Sequence, residues 1–397
     1  MSPSVAPSTL SGSFPTPTEF LARARTLKPR LRERAEESER IRRMPDTTVA
    51  DFVGLELYRI MQPRRFGGCE YGWDVWCECL LELAQGDGSQ AWAMMVHNEY
   101  VQLLGACSDR VQEEIWGANP RALISSSFQP VGKVERKSGG YTLSTISARW
   151  GFSSGIDEAS WIIVGGIAPE RGLTYFIVPR EVVTIVDDWY VAGLAGSGSK
   201  SFTIAEAFVP DYRTIGDQEL NDGRGPGVRA DSAAISRYPR KAGAGLGIAA
   251  VPLGVAIGML EDFKAVARER AQGGRAPVDQ ATGLRISECA AELEAARSVM
   301  LENARECMRV LEAGEELSVE QRVRARRTAG YAALIAQRAS DKLYAAAGSG
   351  AIRHSSPLQR GFRDVHAGAN HIGVSWETSA GAYGELSLGR TPPPGQW

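Results

Sequence analysis

The sequence predicts an α+β fold in which a helical N-terminal domain, a small antiparallel β domain and a C-terminal four-helix bundle follow one another. Three observations carry this expectation. Apolar residues recur at helical spacing between Thr16 and about Trp116, with Phe20, Leu21, Ala24 and Leu27 on one stripe and Val75, Cys79, Leu80 and Leu83 on another. Short runs rich in Val, Ile, Thr, Tyr and Phe, parted by glycine, follow from about Ala122 to Thr214. Helix formers then dominate from about Ala242, in stretches too long and too free of strands for anything but a bundle.

Taken in order, residues 1–15 are rich in Ser, Pro and Thr and are expected to form a flexible arm, since no basic start precedes an apolar stretch as in a signal peptide. Residues 16–120 form the helical domain, interrupted by a turn at Pro63-Arg64-Arg65-Phe66-Gly67-Gly68. Residues 121–216 form the β domain, with strands expected at Tyr141–Leu143, Trp161–Val164, Thr174–Val178 and Ser201–Ile204. The Gly- and Asp-rich segment that follows makes residues 217–241 a mobile connection. Residues 242–397 make the bundle, with helices over Val251–Gln272, Gln280–Ala313 and Val319–Ala347; Pro392-Pro393-Pro394 ends it.

Composition narrows the function. Hydrophobic residues are 43% and charged residues 23% of the 397, which is ordinary globular usage. The 45 basic and 47 acidic residues leave a formal charge of -2, so nothing global attracts nucleic acid or an anionic membrane. No stretch approaches the roughly 18 consecutive apolar residues of a bilayer span, and a cytoplasmic protein acting on small molecules is expected. The six cysteines are scattered, as reduced thiols would be. Cys77-Glu78-Cys79 lacks a CxxC or a nearby histidine to complete a ligand set, so no metal site is expected.

Two segments of the β region lead further. Arg149-Trp150-Gly151-Phe152-Ser153-Ser154-Gly155, followed by Ala159-Ser160-Trp161, and Gly193-Leu194-Ala195-Gly196-Ser197-Gly198-Ser199-Lys200, leading to Val209-Pro210, together with the order of the three domains, resemble the acyl-CoA dehydrogenase superfamily over nearly the whole chain. The resemblance implies that the first segment lies against a flavin ring. Trp150 would stack, Phe152 would lie beside it, and the hydroxyls of Ser153 and Ser154 would reach N5 and the pyrimidine carbonyls. The same resemblance sets Ser126 and Ser127, in Ser125-Ser126-Ser127-Phe128, on a loop against the flavin, adds Ser199, and makes Arg270 the partner of flavin phosphate or ribose. A neighbouring subunit would complete the site, giving a homotetramer built on the bundle. The three glycines of the second segment do not make a dinucleotide loop, because Phe202-Thr203-Ile204 continues as strand where a helix is required. Electrons would therefore arrive on FAD or FMN already reduced by a separate NAD(P)H:flavin reductase.

The stretch Phe362–Gly373 separates two chemistries. Where the resembling dehydrogenases follow an Arg-Asp with a segment whose glutamate removes a proton, this chain reads His371-Ile372-Gly373-Val374, and an isoleucine takes no proton. A histidine there resembles the two-component flavin monooxygenases, the hydroxyphenylacetate hydroxylase branch among them, in which a flavin C4a-hydroperoxide must be kept protonated and away from water. Imidazole suits that task near neutral pH. Among four histidines, His371 is the expected peroxide-side residue, with His366 a weaker candidate and His97 the match to a substrate-touching position, lining an aromatic pocket with Trp92 and Tyr100. Ser153 is the catalytic hydroxyl expected to slow peroxide loss, with Ser154 open as the alternative. Arg237 and Arg240 are candidates to cap a pocket. The expected reaction is hydroxylation of a small aromatic, a phenol or an indole, with reduced flavin and O2. Oxidation of sulfur or nitrogen, a dehydrogenase with its base relocated, and a binding-only relative remain as alternatives.

Overall fold

The computed structural model describes residues 14–229, 231–272 and 279–393. Most of the expected arm, Gly273 after Arg270 and the final proline Pro394 lie outside the described residues. Helix α1 (Pro17–Ile41) starts where Thr16 and Glu19 cap each other's backbone, and it buries Phe20, Ala24, Leu27, Leu31 and Ala35 along one stripe. The helices α2 (Asp46–Gly54), α3 (Trp73–Ala84), α4 (Gly88–Gly105) and the short α5 (Asp109–Gln112) complete the N-terminal layer.

Ten strands follow: β1 (Ile124–Ser127), β2 (Lys133–Lys137), β3 (Gly140–Ser144), β4 (Trp150–Ser153), β5 (Trp161–Ala168), β6 (Gly172–Pro179), β7 (Thr184–Val186), β8 (Lys200–Thr203), β9 (Ala207–Pro210) and β10 (Thr214–Gly216). They make three small sheets, ordered β1-β5-β6-β10, β2-β3-β9 and β4-β8-β7. The expected antiparallel pattern holds for all pairs but one. Strand β1 runs parallel to β5, with Ile124 opposite Trp161, so Ser125, Ser126 and Ser127 form a buried strand and not the loop that the family resemblance implied. The β domain closes its own apolar core around Trp150, Phe176, Phe202 and Tyr141.

The segment expected to be a mobile connection is packed and structured. It holds α6 (Asp217–Asn221), and the Asp217 carboxylate accepts hydrogen bonds from Tyr175 Oη at 2.6 Å and Arg240 at 3.2 Å. Its glycines serve close approach: a Cβ on Gly225 would lie 2.2 Å from the Ala106 carbonyl oxygen, and one on Gly227 would lie 1.9 Å from that of Cys107.

Five helices end the chain: α7 (Arg240–Gln272), α8 (Gln280–Glu312), α9 (Val319–Ala347), α10 (Pro357–Ala369) and α11 (Trp376–Ser387). The first four make the expected bundle and α11 packs on α9. Helix α7 begins eleven residues before the expected Val251 because Ala242, Leu246 and Ala249 extend its buried face. By length and composition α7 could cross a bilayer, yet 94% of its most apolar stretch is buried inside the protein, so the bundle is its partner. Helices from both ends of the chain share one large apolar core. All six cysteines are buried and free within it or at its margin, and burial pushes the Cys77 and Cys79 thiols up, as befits packing groups.

Adjacent residues of α10 tie the bundle to the β domain. Asp364 on α10 accepts a hydrogen bond of 2.6 Å from the backbone N–H of Leu194, and Arg363 donates at 2.5 Å to the Ala192 carbonyl. Asp364 is buried beside Asp87, and burial, then the Asp87 charge, push its carboxyl above the usual range. The fold thus favours the protonated form. Its contribution to stability is complete below the unfolded carboxyl value of about 4 and is lost as pH rises toward neutrality. Asp364→Asn keeps the acceptor and removes the buried charge, so the variant should gain on the wild type by on the order of 1–3 kcal/mol at pH 8 and by little at pH 4. Melting temperatures across that range test this, and a pH-independent gap would refute it.

Candidate active site

The wall of the candidate site is α4. Asp87 caps it by accepting from the Gln90 N–H at 2.8 Å, and all eighteen of its residues are buried. Within it a small residual exposure marks one face: Trp92 7%, Val96 4%, Glu99 5% and Tyr100 7%, against 0% for Ala91, Ala93, Met94 and Asn98. Those four positions recur at helical spacing, so the slight exposure lies along one face of the buried helix, taken below as the wall of the candidate cleft.

Facing the start of that row is a ledge of serine hydroxyls. Trp92 Nε1 donates to Ser154 Oγ at 3.1 Å; Ser154 Oγ meets Ser199 Oγ at 2.7 Å, and Ser199 meets Ser197 Oγ at 2.7 Å. One layer behind, Ser125 Oγ meets Ser153 Oγ at 2.8 Å and donates to the Ser154 carbonyl at 2.7 Å. Ser127 Oγ donates to the Gly151 carbonyl at 2.7 Å, while Ser126 is buried beside Tyr100. A bulge between Trp150 and Ser153 builds this ledge: Phe152 takes a left-handed φ of 56° and Gly155 one of 64°.

His371 closes the cleft at its mouth, in the turn after α10. Its ring centroid lies 5.9 Å from that of Trp92, and Ile248 of α7 packs against the same turn at Gly373. The backbone N–H of Gly373 donates to His371 Nδ1 at 3.0 Å. That bond occupies the Nδ1 lone pair, so the proton of the neutral ring sits on Nε2. The ring is exposed by area in the single chain, while the protein packed about it lowers its pKa below the ordinary imidazole value. A neutral imidazole with one outward N–H is the result.

Several expected site residues stand elsewhere. Trp150 does not stack in the cleft: its ring is fully buried against Phe202 at 5.6 Å and 10°, and Nε1 donates to the Gly165 carbonyl at 3.0 Å. The bulge explains this, since it turns Phe152 outward, edge-on to Trp189 at 5.8 Å, and leaves Trp150 facing the β core. His97 is on α4 but about 140° round its axis from Trp92. Nδ1 donates to the Ile124 carbonyl at 2.8 Å, Nε2 is sealed without a partner against Gly155, and burial lowers the pKa to about 4. It braces the serine turn from behind and does not line the aromatic side of the cleft. Arg270 donates to the Ala347 carbonyl at 2.7 Å, roughly 33 Å along α7 from Ile248 at about 1.5 Å per residue. Within one chain it is remote from the ledge. His366 pairs with Asp341 at 2.9 Å on the bundle surface, and Arg237 donates to the Leu311 carbonyl. Three residues were not singled out: Gly373 and Ser125, which lie inside the segments that were, and Glu99, whose only sequence signal is its helical spacing from Trp92 and Val96.

The donor set fits a flavin. Hydroxyls from three segments converge on one ledge beside the Trp92 indole, and such hydroxyls can donate to the carbonyl and ring-nitrogen acceptors of a planar heterocycle. Such a ledge between a β domain and a helix bundle, with an imidazole at its mouth, defines a flavin-dependent oxidoreductase of the acyl-CoA dehydrogenase fold. Residues 246–376 match the family model for the acyl-CoA dehydrogenase C-terminal domain. The chain is 33% identical to the oxygenase subunit HsaA of a flavin-dependent monooxygenase from Mycobacterium tuberculosis, over 94% of this chain and 96% of that protein. It is 31% identical to the oxygenase component of p-hydroxyphenylacetate 3-hydroxylase from Acinetobacter baumannii, over 94% and 90%. The crystal structure of the M. tuberculosis HsaA monooxygenase superposes with a TM-score of 0.91 at 32% identity, covering 96% of this chain and 100% of that one. The chain belongs to the oxygenase components of two-component flavin-dependent monooxygenases, which work on reduced flavin delivered by a reductase.

The two layers of serines predict unequal losses. Ser154→Ala strips the buried Trp92 indole N–H of its acceptor and should cost about 1–3 kcal/mol. Ser153→Ala leaves Ser125 still bonded to the Ser154 carbonyl and should cost about 1 kcal/mol or less. Denaturant melts measure both, and equal losses would show that the Trp92 bond carries no weight.

Proposed function

We propose that this oxygenase component hydroxylates a small aromatic substrate of the phenol or indole type, drawing on FAD or FMN reduced by a separate NAD(P)H:flavin reductase. The observation that carries the reading is the imidazole of His371, neutral and with its single N–H on Nε2, at the mouth of a cleft walled by Trp92. Bound reduced flavin supplies the electrons that activate O2 for transfer of one oxygen atom to the ring. The chain's own part is positional and protic. Ser154 and Ser199, with Ser153 and Ser125 behind them, orient the heterocycle; Trp92 and Ile248 keep water from the reacting face; His371 Nε2 holds a proton where oxygen must stay protonated.

A dehydrogenase would need a carboxylate where Ile372 stands, beside His371. Glu99 does lie on the cleft face, but seven residues past Trp92, roughly 10 Å along α4, so it cannot share the imidazole's position. The solvent-facing Arg270 and the single-chain geometry favour a homotetramer in which Arg270 serves a neighbour's flavin phosphate or ribose. The cytoplasm suits a protein fed by a diffusible reductant.

With a generic flavin reductase and a panel of phenols and indoles, the wild type should yield hydroxylated product with O2 consumption. His371→Ala should still bind flavin and consume O2, but product formation should fall by about 100-fold as hydrogen peroxide is released instead. Unchanged coupling in that variant would remove the role given to the ring. Because the ring's pKa is depressed, it stays neutral at and above pH 6.5, and coupling should decline only as pH falls below that value. His371→Asn, which cannot titrate, should flatten that acid limb; a limb that survives belongs to another group.

A further inference from the structure

The inner end of the cleft holds a carboxyl that the oxygenation reading leaves without a task. Glu99 ends the row that Trp92 and Val96 begin; among the described residues no hydrogen bond or ion pair within 4 Å ends on it, and its oxygens are not sealed by protein. Beside it stands a box of aromatic rings: Tyr100 edge-on to Phe128 at 5.5 Å, and Phe128 edge-on to Tyr175 at 4.9 Å. Arg240 lies over Phe128 at 4.8 Å and Tyr175 at 5.2 Å. Its charge is already answered by Asp217 at 3.2 Å, and one of its nitrogens meets Tyr175 Oη at 3.0 Å; Lys241 reaches the same Asp217 at 3.3 Å. Arg240, whose buried Nε has no hydrogen-bond partner, is the opposing charge to Glu99, but no hydrogen bond or ion pair within 4 Å joins the two among the described residues.

We propose that Glu99 is a specificity-determining residue that selects aromatic substrates whose far end carries a basic or hydrogen-bond-donating nitrogen and rejects those ending in a carboxylate. This rests on the aromatic hydroxylation proposed above. A buried carboxyl without a partner is costly, and a donor on the ligand relieves that cost, whereas a ligand carboxylate would face a second acid in a desolvated pocket. Burial pushes the Glu99 pKa up to about 7, with Arg240 the opposing charge, so a cationic group on the ligand would draw out its ionised form. The roughly 10 Å of α4 between Trp92 and Glu99 is the length of a single phenol ring bearing a two-carbon amine.

The test uses the flavin-loaded enzyme with its reductase and three phenols that differ only in the para side chain: tyramine, 4-ethylphenol and 4-hydroxyphenylacetate. The kcat/KM for hydroxylation of tyramine should exceed that for 4-hydroxyphenylacetate by about tenfold or more, and in Glu99→Gln this ratio should collapse to within about threefold. Equal use of all three phenols by the wild type, a preference for the carboxylate, or an unchanged ratio in Glu99→Gln overturns the assignment and leaves aromatic hydroxylation standing. If none of the three is hydroxylated while O2 is consumed, the aromatic reading falls and takes this inference with it. Should Glu99→Gln fail to fold, the wild-type order among the three side chains decides alone.

Discussion

The cleft depends on a helix that must be buried on nearly every side and still leave one face open. Helix α4 meets this through the bond from the Trp92 indole to Ser154, which fixes the helical layer against the β ledge without filling the space between them. A buried indole N–H gains from an acceptor, and the 3.1 Å bond holds the two layers at a set distance. Everything else is measured from there: His371 packs on the outer side of the same ring, and Val96 and Glu99 continue the same row inward. His97, on another face of the helix, holds the serine turn from below through the Ile124 carbonyl and the close approach of Gly155.

Placing an imidazole at the mouth has consequences that a carboxylate would not have. A carboxylate in a partly desolvated cleft is an acceptor and tends to be ionised; a histidine whose Nδ1 is occupied by the Gly373 N–H can only donate from Nε2. The backbone of a three-residue turn thereby decides which proton the cleft contains. The lowered pKa then keeps the ring from gaining a second proton near neutral pH. In the oxygenation proposed above, such a ring would hold its proton in place rather than abstract one from carbon.

Much of this could be read from the residues alone, and the failures share a cause. The bundle helices and four strands were legible because periodicity reports them directly. Helix α9 runs from Val319 to Ala347 as its pattern indicates. Trp150 was misread because side-chain alternation along a strand assumes an unbroken register, and the bulge at Phe152 shifts it by one. Ser125 to Ser127 were misread because the family resemblance implied a loop there, while partners far along the chain, in β5, make them a strand. The glycines of residues 217–241 suggested mobility for want of any sign that neighbouring carbonyls lie against them. In each case the deciding contact is distant in sequence.

Arg270 is the residue on which the proposed oligomer turns. Its place at the far end of a 33-residue helix puts it beyond reach of the ledge that Ser154 and Ser199 form in the same chain. In place it satisfies the last carbonyl of α9, a role that leaves guanidinium donors free on an exposed surface. A flavin seated on the ledge would extend its phosphates away from the buried ring end, since no basic side chain is hydrogen-bonded to the serine network among the described residues. The charge those phosphates need must then come from elsewhere, and the homotetramer proposed above would supply it from the α7 end of a second chain. On this argument the oligomer is part of the cofactor site, and flavin affinity should be inseparable from assembly.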